Sequence, residues 1–256
     1  MTQISLTDVS VHYPIYATVR HRSLLSYAAN RASFGRVARD VGNVPVVEAL
    51  RGLSLQLKEG DRLAVVGRNG SGKTTLLKLC AGLLLPDAGR CIITGSRAAI
   101  INPGAGLDLD KTGAENVEVI GRLLGVRKSQ RKNLLDDVAE FTELGDFMNL
   151  PVRSYSSGMV VRLLFALATS VERDILVVDE VIGAGDLHFV DKAAKRVQEL
   201  FARTKILVLA THSPGIASQL CTSALWLDSG KPMMTGAPAE VWKAYSEQRP
   251  PLDAVA

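Results

Sequence analysis

The chain has few of the residues that mark specialised classes of protein. Three cysteines occur among 256 residues, and no Cys-x-x-Cys spacing connects them. This argues against a disulfide framework or a cysteine zinc site and favours a reduced, intracellular setting. Aromatic residues make up only 5%, but the 47% hydrophobic and 22% charged residues are ordinary for a globular protein. Disordered and collagen-like classes are therefore excluded.

Long hydrophobic runs are also missing. None approaches the roughly 18 to 20 apolar residues that a membrane-spanning helix needs. The first nine residues alternate and include Asp8 instead of forming an apolar signal block. We expect a chain that neither spans a membrane nor enters the secretory route.

The charge balance is mild, with 30 Lys and Arg against 26 Asp and Glu, a net charge of +4. This is too weak to argue for nucleic-acid binding. The segment 14–45 contains five arginines and one acidic residue, so it accounts for the whole excess. Its apolar residues recur at near-helical spacing, which predicts a basic amphipathic insertion for a membrane surface or a partner, or else a solvated basic face.

The hydrophobic pattern predicts an α/β fold. Short continuous apolar runs at 62–66, 175–178 and 206–210 are typical of parallel strands that are buried on both faces. Alternating segments at 4–9 and 50–58 predict antiparallel or edge strands near the N-terminus. We expect a single domain over 1–256, with a mainly parallel core sheet, an N-terminal antiparallel part, an inserted helical subdomain at 107–170, a strand and turn at 225–231, a helix at 238–247 and a flexible tail at 249–256.

Two local patterns support the helical subdomain and a phosphate site. Thr112 and Glu115 have the spacing of a capping box at a helix start. The run from Gly67 to Thr74 fits G-x-x-x-x-G-K-[ST], directly after an apolar strand and before a helix-like run. Such loops turn backbone N–H groups and a helix N-terminus toward phosphate oxygens, and the lysine adds a positive charge. The predicted nucleotide-binding residues of this loop are Gly67, Asn69, Gly70, Ser71, Gly72, Lys73, Thr74 and Thr75.

Polar side chains follow two of the buried strands. Asp179 and Glu180 end the run at 175–178, and His212 follows the run at 206–210. Ligands of open α/β sheets bind at the carboxyl ends of strands. We predict that Thr74 and Asp179 hold Mg²⁺, that Glu180 accepts a proton from the water attacking the γ-phosphate, and that His212 approaches the same phosphate.

The order of motifs resembles that of ABC ATPases. Tyr155-Ser156-Ser157-Gly158-Met159 is similar to the family's signature motif, and Gly183-Ala184-Gly185-Asp186 stands in the position of its D-loop. The resemblance implies a two-lobed ATP-binding subunit that uses ATP and Mg²⁺ and works as a head-to-tail homodimer. It implies that each ATP is held in trans by the partner copy through residues equivalent to Ser156, Ser157, Gly158 and Asp186.

Departures from the general pattern indicate a subgroup. Asn102 stands where most members have the Q-loop glutamine, and it is predicted as a catalytic position that contacts water or Mg²⁺ or only relays the conformational signal. Met159 replaces a glutamine of the signature. The signature resembles that of bacterial polysaccharide exporters, which serve lipid-linked O-antigen, capsule and teichoic acid. This implies a peripheral protein on the cytoplasmic face of the inner membrane, with a polytopic membrane subunit that handles the lipid-linked glycan.

More than one interpretation is open for the adenine-stacking residue and for the function of the protein. Tyr13 resembles the aromatic residue that stacks on adenine. One alternative is that Tyr16 has this role, and another is that Tyr13 is only a surface aromatic residue at the end of a strand. A second functional hypothesis is a soluble ABC ATPase that acts on ribosomes or DNA. The single phosphate-loop motif and the absence of sustained heptads argue against it, so no nucleic acid is expected. A degenerate regulatory module is disfavoured because Lys73, Asp179, Glu180 and His212 are all present.

Overall fold

The computed structural model describes residues 1–15, 37–39, 45–101, 106–179, 189, 192, 195, 196, 199, 200 and 203–248. Most of the predicted insertion at 14–45 and the predicted tail at 249–256 lie outside this set. The chain forms two compact units, Met1–Ser96 with Lys205–Ala256 and Arg97–Thr204.

The described residues include ten strands and six helices. The strands are β1 (Gln3–Pro14), β2 (Val37–Arg39), β3 (Pro45–Lys58), β4 (Arg62–Val66), β5 (Ala88–Thr94), β6 (Arg97–Ile100), β7 (Ile175–Asp179), β8 (Ile206–Ala210), β9 (Ser223–Asp228) and β10 (Lys231–Gly236). The helices are α1 (Lys73–Cys80), α2 (Gly113–Leu123), α3 (Arg131–Thr142), α4 (Ser157–Thr169), α5 (Pro214–Leu220) and α6 (Pro238–Glu247), with short 3-10 turns at Lys128–Gln130, Gly145–Asn149 and Val152–Ser154.

An antiparallel sheet forms one layer of the first unit. Its strand order is β2, β3, β1, β5, so the prediction of antiparallel pairing near the N-terminus is confirmed. Strand β1 lies inside this sheet and not at its edge, because both β3 and β5 pair with it. Its buried side chains alternate on either side of an irregularity between Leu6 and Val9, because successive residues of a strand point to opposite faces. They are Ile4, Leu6, Val9 and Val11.

Parallel strands form the other layer of this unit. Strand β4 pairs in parallel with both β8 and β9, and β10 pairs antiparallel with β9. Every residue from Leu63 to Val66 and from Ile206 to Ala210 is buried, which explains their continuous apolar sequences. Helix α1 packs against β8 and β3, and α6 packs against α5 and β9.

The second unit combines a parallel strand pair with a helical bundle. Strands β6 and β7 run parallel, and helices α2, α3 and α4 pack on one another within the range predicted for the helical subdomain. Phe141 stacks on Phe165 with 5.7 Å between ring centroids, and Phe189 meets both rings edge-on. The predicted capping box is confirmed: Thr112 Oγ1 accepts from the Glu115 N–H, and Glu115 Oε2 accepts from the Thr112 N–H.

Some element bounds differ from prediction. Strand β3 begins at Pro45, five residues before the predicted start, and β10 follows the predicted turn at 228–231. The side chains of β10 are mostly exposed, so this strand has little hydrophobic pattern to detect. Helix α4 begins at Ser157, directly after its N-cap residue Ser156. Within the described residues, no helix combines the length and apolarity needed to cross a bilayer.

Candidate nucleotide-binding site

The phosphate-loop motif connects the buried end of β4 to the start of α1. Gly70 and Gly72 have φ angles of +77° and +110°, which L side chains rarely adopt. A Cβ at Gly72 would also lie 2.5 Å from the Ala49 carbonyl oxygen. The glycines therefore let the chain turn sharply into the helix.

Two polar groups of this loop point to an anionic ligand. Lys73 is 8% exposed, and its Nζ donates to the Gly67 and Arg68 carbonyls at 2.6 and 3.1 Å. Ser71 Oγ is buried and has no hydrogen-bond partner among the described residues. No side chain caps the N-terminus of α1, because its N-cap residue is Gly72. A lysine, a buried hydroxyl and an uncapped helix N-terminus match the chemistry of a phosphate group.

A turn distant in sequence supports the phosphate loop. The Gly230 N–H donates to the Ser71 carbonyl at 2.9 Å, and the Arg51 N–H donates to the Gly230 carbonyl at 2.9 Å. Gly230 has a φ of +79°, and a Cβ there would lie 2.8 Å from the Ala49 carbonyl oxygen. The sequence predicts a strand and turn at 225–231 but carries no local signal for this support.

Three further predicted site residues, Thr74, Thr75 and His212, belong to the same unit as the phosphate loop. Thr74 is exposed at the first turn of α1, where a hydroxyl ligand for Mg²⁺ was predicted, and Thr75 is buried. His212 is exposed two residues after β8. Because Val65 pairs with Ala210, the register brings position 212 level with Gly67, where the loop begins.

Tyr13 lies near the end of β1, where the aromatic residue for adenine was predicted. It pairs with Val47 of β3, and its side chain is 38% exposed. Val47 is two residues before Ala49, whose carbonyl faces the phosphate loop. Tyr16, the alternative to Tyr13 for stacking on adenine, lies outside the described residues.

The second unit contains the acidic strand end. Asp179 is the last residue of β7 and is half-buried. Ile100 at the end of the neighbouring β6 pairs with Val178, so both strands end at the same level. Asn102, Glu180 and Asp186 lie outside the described residues.

The signature segment forms an exposed helix start in the second unit. Ser156 is the N-cap of α4, and its Oγ accepts from the Met159 N–H at 3.3 Å. Ser157 is exposed, and among the described residues a Cβ at Gly158 would meet only Ser156 Oγ, at 3.9 Å. Packing among the described residues therefore does not require a glycine at 158.

Tyr155 anchors this segment to the helical bundle. Its hydroxyl donates to the Phe147 carbonyl at 2.6 Å, and partial burial raises the pKa of Tyr155 above its usual value. The position of the helix start is thus set by the packing of the preceding turn.

Comparison with known proteins agrees with these features. The sequence profile described as ABC transporter matches residues 50–183. The O-antigen export system ATP-binding protein RfbE of Yersinia enterocolitica is 39% identical over 230 residues, which cover 90% of this chain and 96% of the relative. The chain belongs to the ABC transporter family. The chain is also 40% identical to the O-antigen export system ATP-binding protein RfbB of Myxococcus xanthus over 212 residues. These residues cover 83% of this chain but only 48% of that relative.

A third relative and the solved structures agree with this assignment. The teichoic acids export ATP-binding protein TagH of Bacillus anthracis is 38% identical over 78% of the cassette and 36% of that relative. An ATP-binding subunit of an ABC transporter matches with a TM-score of 0.72 at 19% identity, over 96% of the cassette and 94% of that chain. A dimeric ATP-binding cassette bound to ADP and Pi matches with a TM-score of 0.70 at 19% identity, over 92% and 98%. The predicted α/β ABC ATPase fold is therefore confirmed.

Proposed function

We propose that the chain is the ATP-hydrolysing subunit of a bacterial exporter of lipid-linked polysaccharide, related to O-antigen systems. The end-to-end similarity to the Yersinia O-antigen export protein carries this proposal. The unpartnered hydroxyl of Ser71 and the buried Lys73 at the uncapped helix start support ATP binding, because they offer donors to phosphate oxygens.

Each predicted residue has a chemical role in this proposal. Lys73 binds the β- and γ-phosphates, and Tyr13 stacks on adenine. Thr74 and Asp179 would hold Mg²⁺, and the bound ion would supply positive charge next to the phosphate oxygens. Glu180 accepts the proton of the attacking water, and His212 orients the γ-phosphate. Asn102 replaces a longer glutamine, so it either reaches the same ligand through a bridging water or only relays the conformational signal.

We extend the proposal to a head-to-tail homodimer. The space that the described residues leave around Gly158 supports it, because this space has room for another group. Ser156, Ser157 and Gly158 at the start of α4, together with Asp186, contact the ATP of the partner copy. The positive end of the helix dipole stabilises the γ-phosphate there. ATP binding shifts the population to the closed dimer, and hydrolysis reopens it.

We base the proposed transported molecule and the proposed membrane partner on the similarity to the export proteins named above. The cassette works at the cytoplasmic face of the inner membrane as a peripheral protein, and a polytopic membrane subunit moves the lipid-linked glycan. The basic insertion at 14–45 contacts that subunit or the membrane surface.

The test is affinity purification of tagged Glu180→Gln from its source cells. Membranes are extracted in mild detergent with ATP and Mg²⁺, and the co-purifying proteins are identified by mass spectrometry. We expect a polytopic membrane protein in stoichiometric amount, because blocked hydrolysis keeps the assembly closed. A tagged Glu247→Gln variant, which alters an exposed glutamate of α6, is the control for the substitution and the tag.

The outcomes separate the functional hypotheses. A membrane partner whose deletion causes lipid-linked polysaccharide to accumulate in the cytoplasm supports export. Salt-sensitive co-purification of ribosomal proteins or DNA, with no membrane protein, would support the soluble ATPase and reject the exporter.

A further inference from the structure

A β-bulge in β3 lies beside the phosphate loop. Val11 of β1 pairs with Leu50, but the next residue, His12, pairs with Glu48, so Ala49 is an extra residue on β3. Bulges bend a strand and redirect its groups, and they are frequent next to active sites. Here the carbonyl of the extra residue faces the Cα atoms of Gly72 and Gly230.

The bulge is connected to the phosphate loop through the backbone. Arg51 donates its N–H to the Gly230 carbonyl, and Gly230 donates its N–H to the Ser71 carbonyl, both at 2.9 Å. The segment that carries the bulge is thus two hydrogen bonds away from the loop. On the other side of the bulge, Val47 pairs with Tyr13.

Polar and charged side chains connect the two sides of the bulge. Arg51 Nε lies 2.9 Å from Glu48 Oε2, and Glu48 Oε1 lies 3.7 Å from His12 Nε2. His12 Nδ1 lies 3.5 Å from Asp87 Oδ2, which also accepts the His12 N–H at 2.6 Å. The Arg51 and Glu48 side chains are only 24% and 28% exposed, so water weakens their attraction less than at an open surface.

We infer that Glu48 and Arg51 are positioning residues that hold the Tyr13 end of β1 at a set place relative to the phosphate loop. Glu48 is central, because it contacts Arg51 on the loop side of the bulge and His12 directly before Tyr13. Neither residue needs to touch ATP in this role. The inference rests on the proposed ATP site, with Tyr13 as its adenine platform.

The experiment is a double-mutant cycle in ATP affinity. Calorimetry on the full chain measures the Kd of ATP and of inorganic tripolyphosphate for wild type, Glu48→Ala, Tyr13→Ala and the double variant. Since base stacking on an aromatic ring supports affinity changes of about tenfold or more, we expect Glu48→Ala to raise the ATP Kd by about tenfold. The tripolyphosphate Kd should stay within about twofold, and Glu48→Ala should have no further effect in the Tyr13→Ala background.

Matched variants separate positioning from general destabilisation. Glu48→Gln keeps the shape of the side chain and should recover part of the affinity; it also serves if Glu48→Ala does not fold. Glu59→Ala removes a carboxylate that lies near Lys205, just past the opposite end of β3, and should leave the ATP Kd unchanged. Arg51→Ala should reproduce the selective loss seen for Glu48→Ala.

Two results would overturn the inference while the proposed function stands. One is an unchanged ATP Kd in both Glu48 variants. The other is an equal loss of ATP and tripolyphosphate affinity, which would place the effect in the phosphate loop. Failure of wild type to bind ATP more tightly than Lys73→Ala would instead reject the proposed function.

Discussion

Asn116 shows at the residue scale how one buried polar side chain shapes the segment that leads into α2. It is 1% exposed. Its Nδ2 donates to the Asp108 and Thr112 carbonyls at 2.9 Å, and its Oδ1 accepts from the Asp108 N–H at 2.8 Å. These bonds connect the 108–112 loop to the first turn of the helix.

Replacing Asn116 by alanine should destabilise the fold. The substitution removes the hydrogen bonds of a buried side chain and leaves the part-buried Asp108 N–H without its acceptor, which costs about 1 to 3 kcal/mol in the free energy of unfolding. Urea denaturation measures this change. Asn133→Ala, at an exposed site on α3, is the control and should stay within about 0.5 kcal/mol of wild type. Equal stability of the two variants would contradict this account of Asn116.

At the element scale, the capping box of α2 makes the stability of this helix depend on the negative charge of Glu115. The Thr112 N–H donates to Glu115 Oε2 at 2.8 Å, and this bond holds the pKa of Glu115 below its usual value of 4.5. A carboxylate with a lowered pKa stabilises the folded state above its unfolded pKa. That contribution is lost as the pH falls through the lowered pKa.

We therefore expect Glu115→Gln to be less stable than wild type at pH 7 and to approach wild type below about pH 4.5. Glutamine keeps the side-chain acceptor, so the difference reports the charge near the helix N-terminus. Urea denaturation between pH 7 and pH 3 measures it. Glu140→Gln, exposed on α3, serves as the control. A difference that stays constant down to pH 3 would exclude the ionised carboxylate as its source.

At the scale of the whole molecule, the proposed cycle connects hydrolysis to association. Loss of a general base lowers turnover by about 10² to 10⁴-fold, a barrier increase of roughly 3 to 5.5 kcal/mol. Glu180→Gln should therefore bind ATP but hydrolyse it hardly at all, and sedimentation should detect a dimer with ATP and Mg²⁺ but a monomer with ADP. Glu247→Gln should hydrolyse ATP at the wild-type rate. Turnover of Glu180→Gln within about tenfold of wild type would remove Glu180 from the role of base.

Much of the fold follows from short-range patterns. The predicted helix at 238–247 has the observed bounds of α6, because Pro238 sets its first turn and an apolar face continues to Tyr245. The continuous apolar runs that became β4, β7 and β8 were equally informative, because burial on both faces removes polar residues from a strand.

Other features of the fold had no local signal. Strand β10 is mostly exposed, so its residues show no alternation, and its pairing with β9 follows from the turn that joins them. The bulge at Ala49 lies in β3 one residue before the predicted start of this strand at Leu50. One extra residue changes the register without changing the composition.

The sequence by itself determined the chemistry of the phosphate loop and the type of helix caps, because these depend on residues within a few positions of one another. Only the tertiary structure decided which distant groups support them: the Gly230 turn against Ser71, the Ala49 carbonyl against Gly72, and the contact between Glu48 and His12. Such contacts join positions tens to more than a hundred residues apart. They are set by strand register and sheet packing, which local periodicity does not specify.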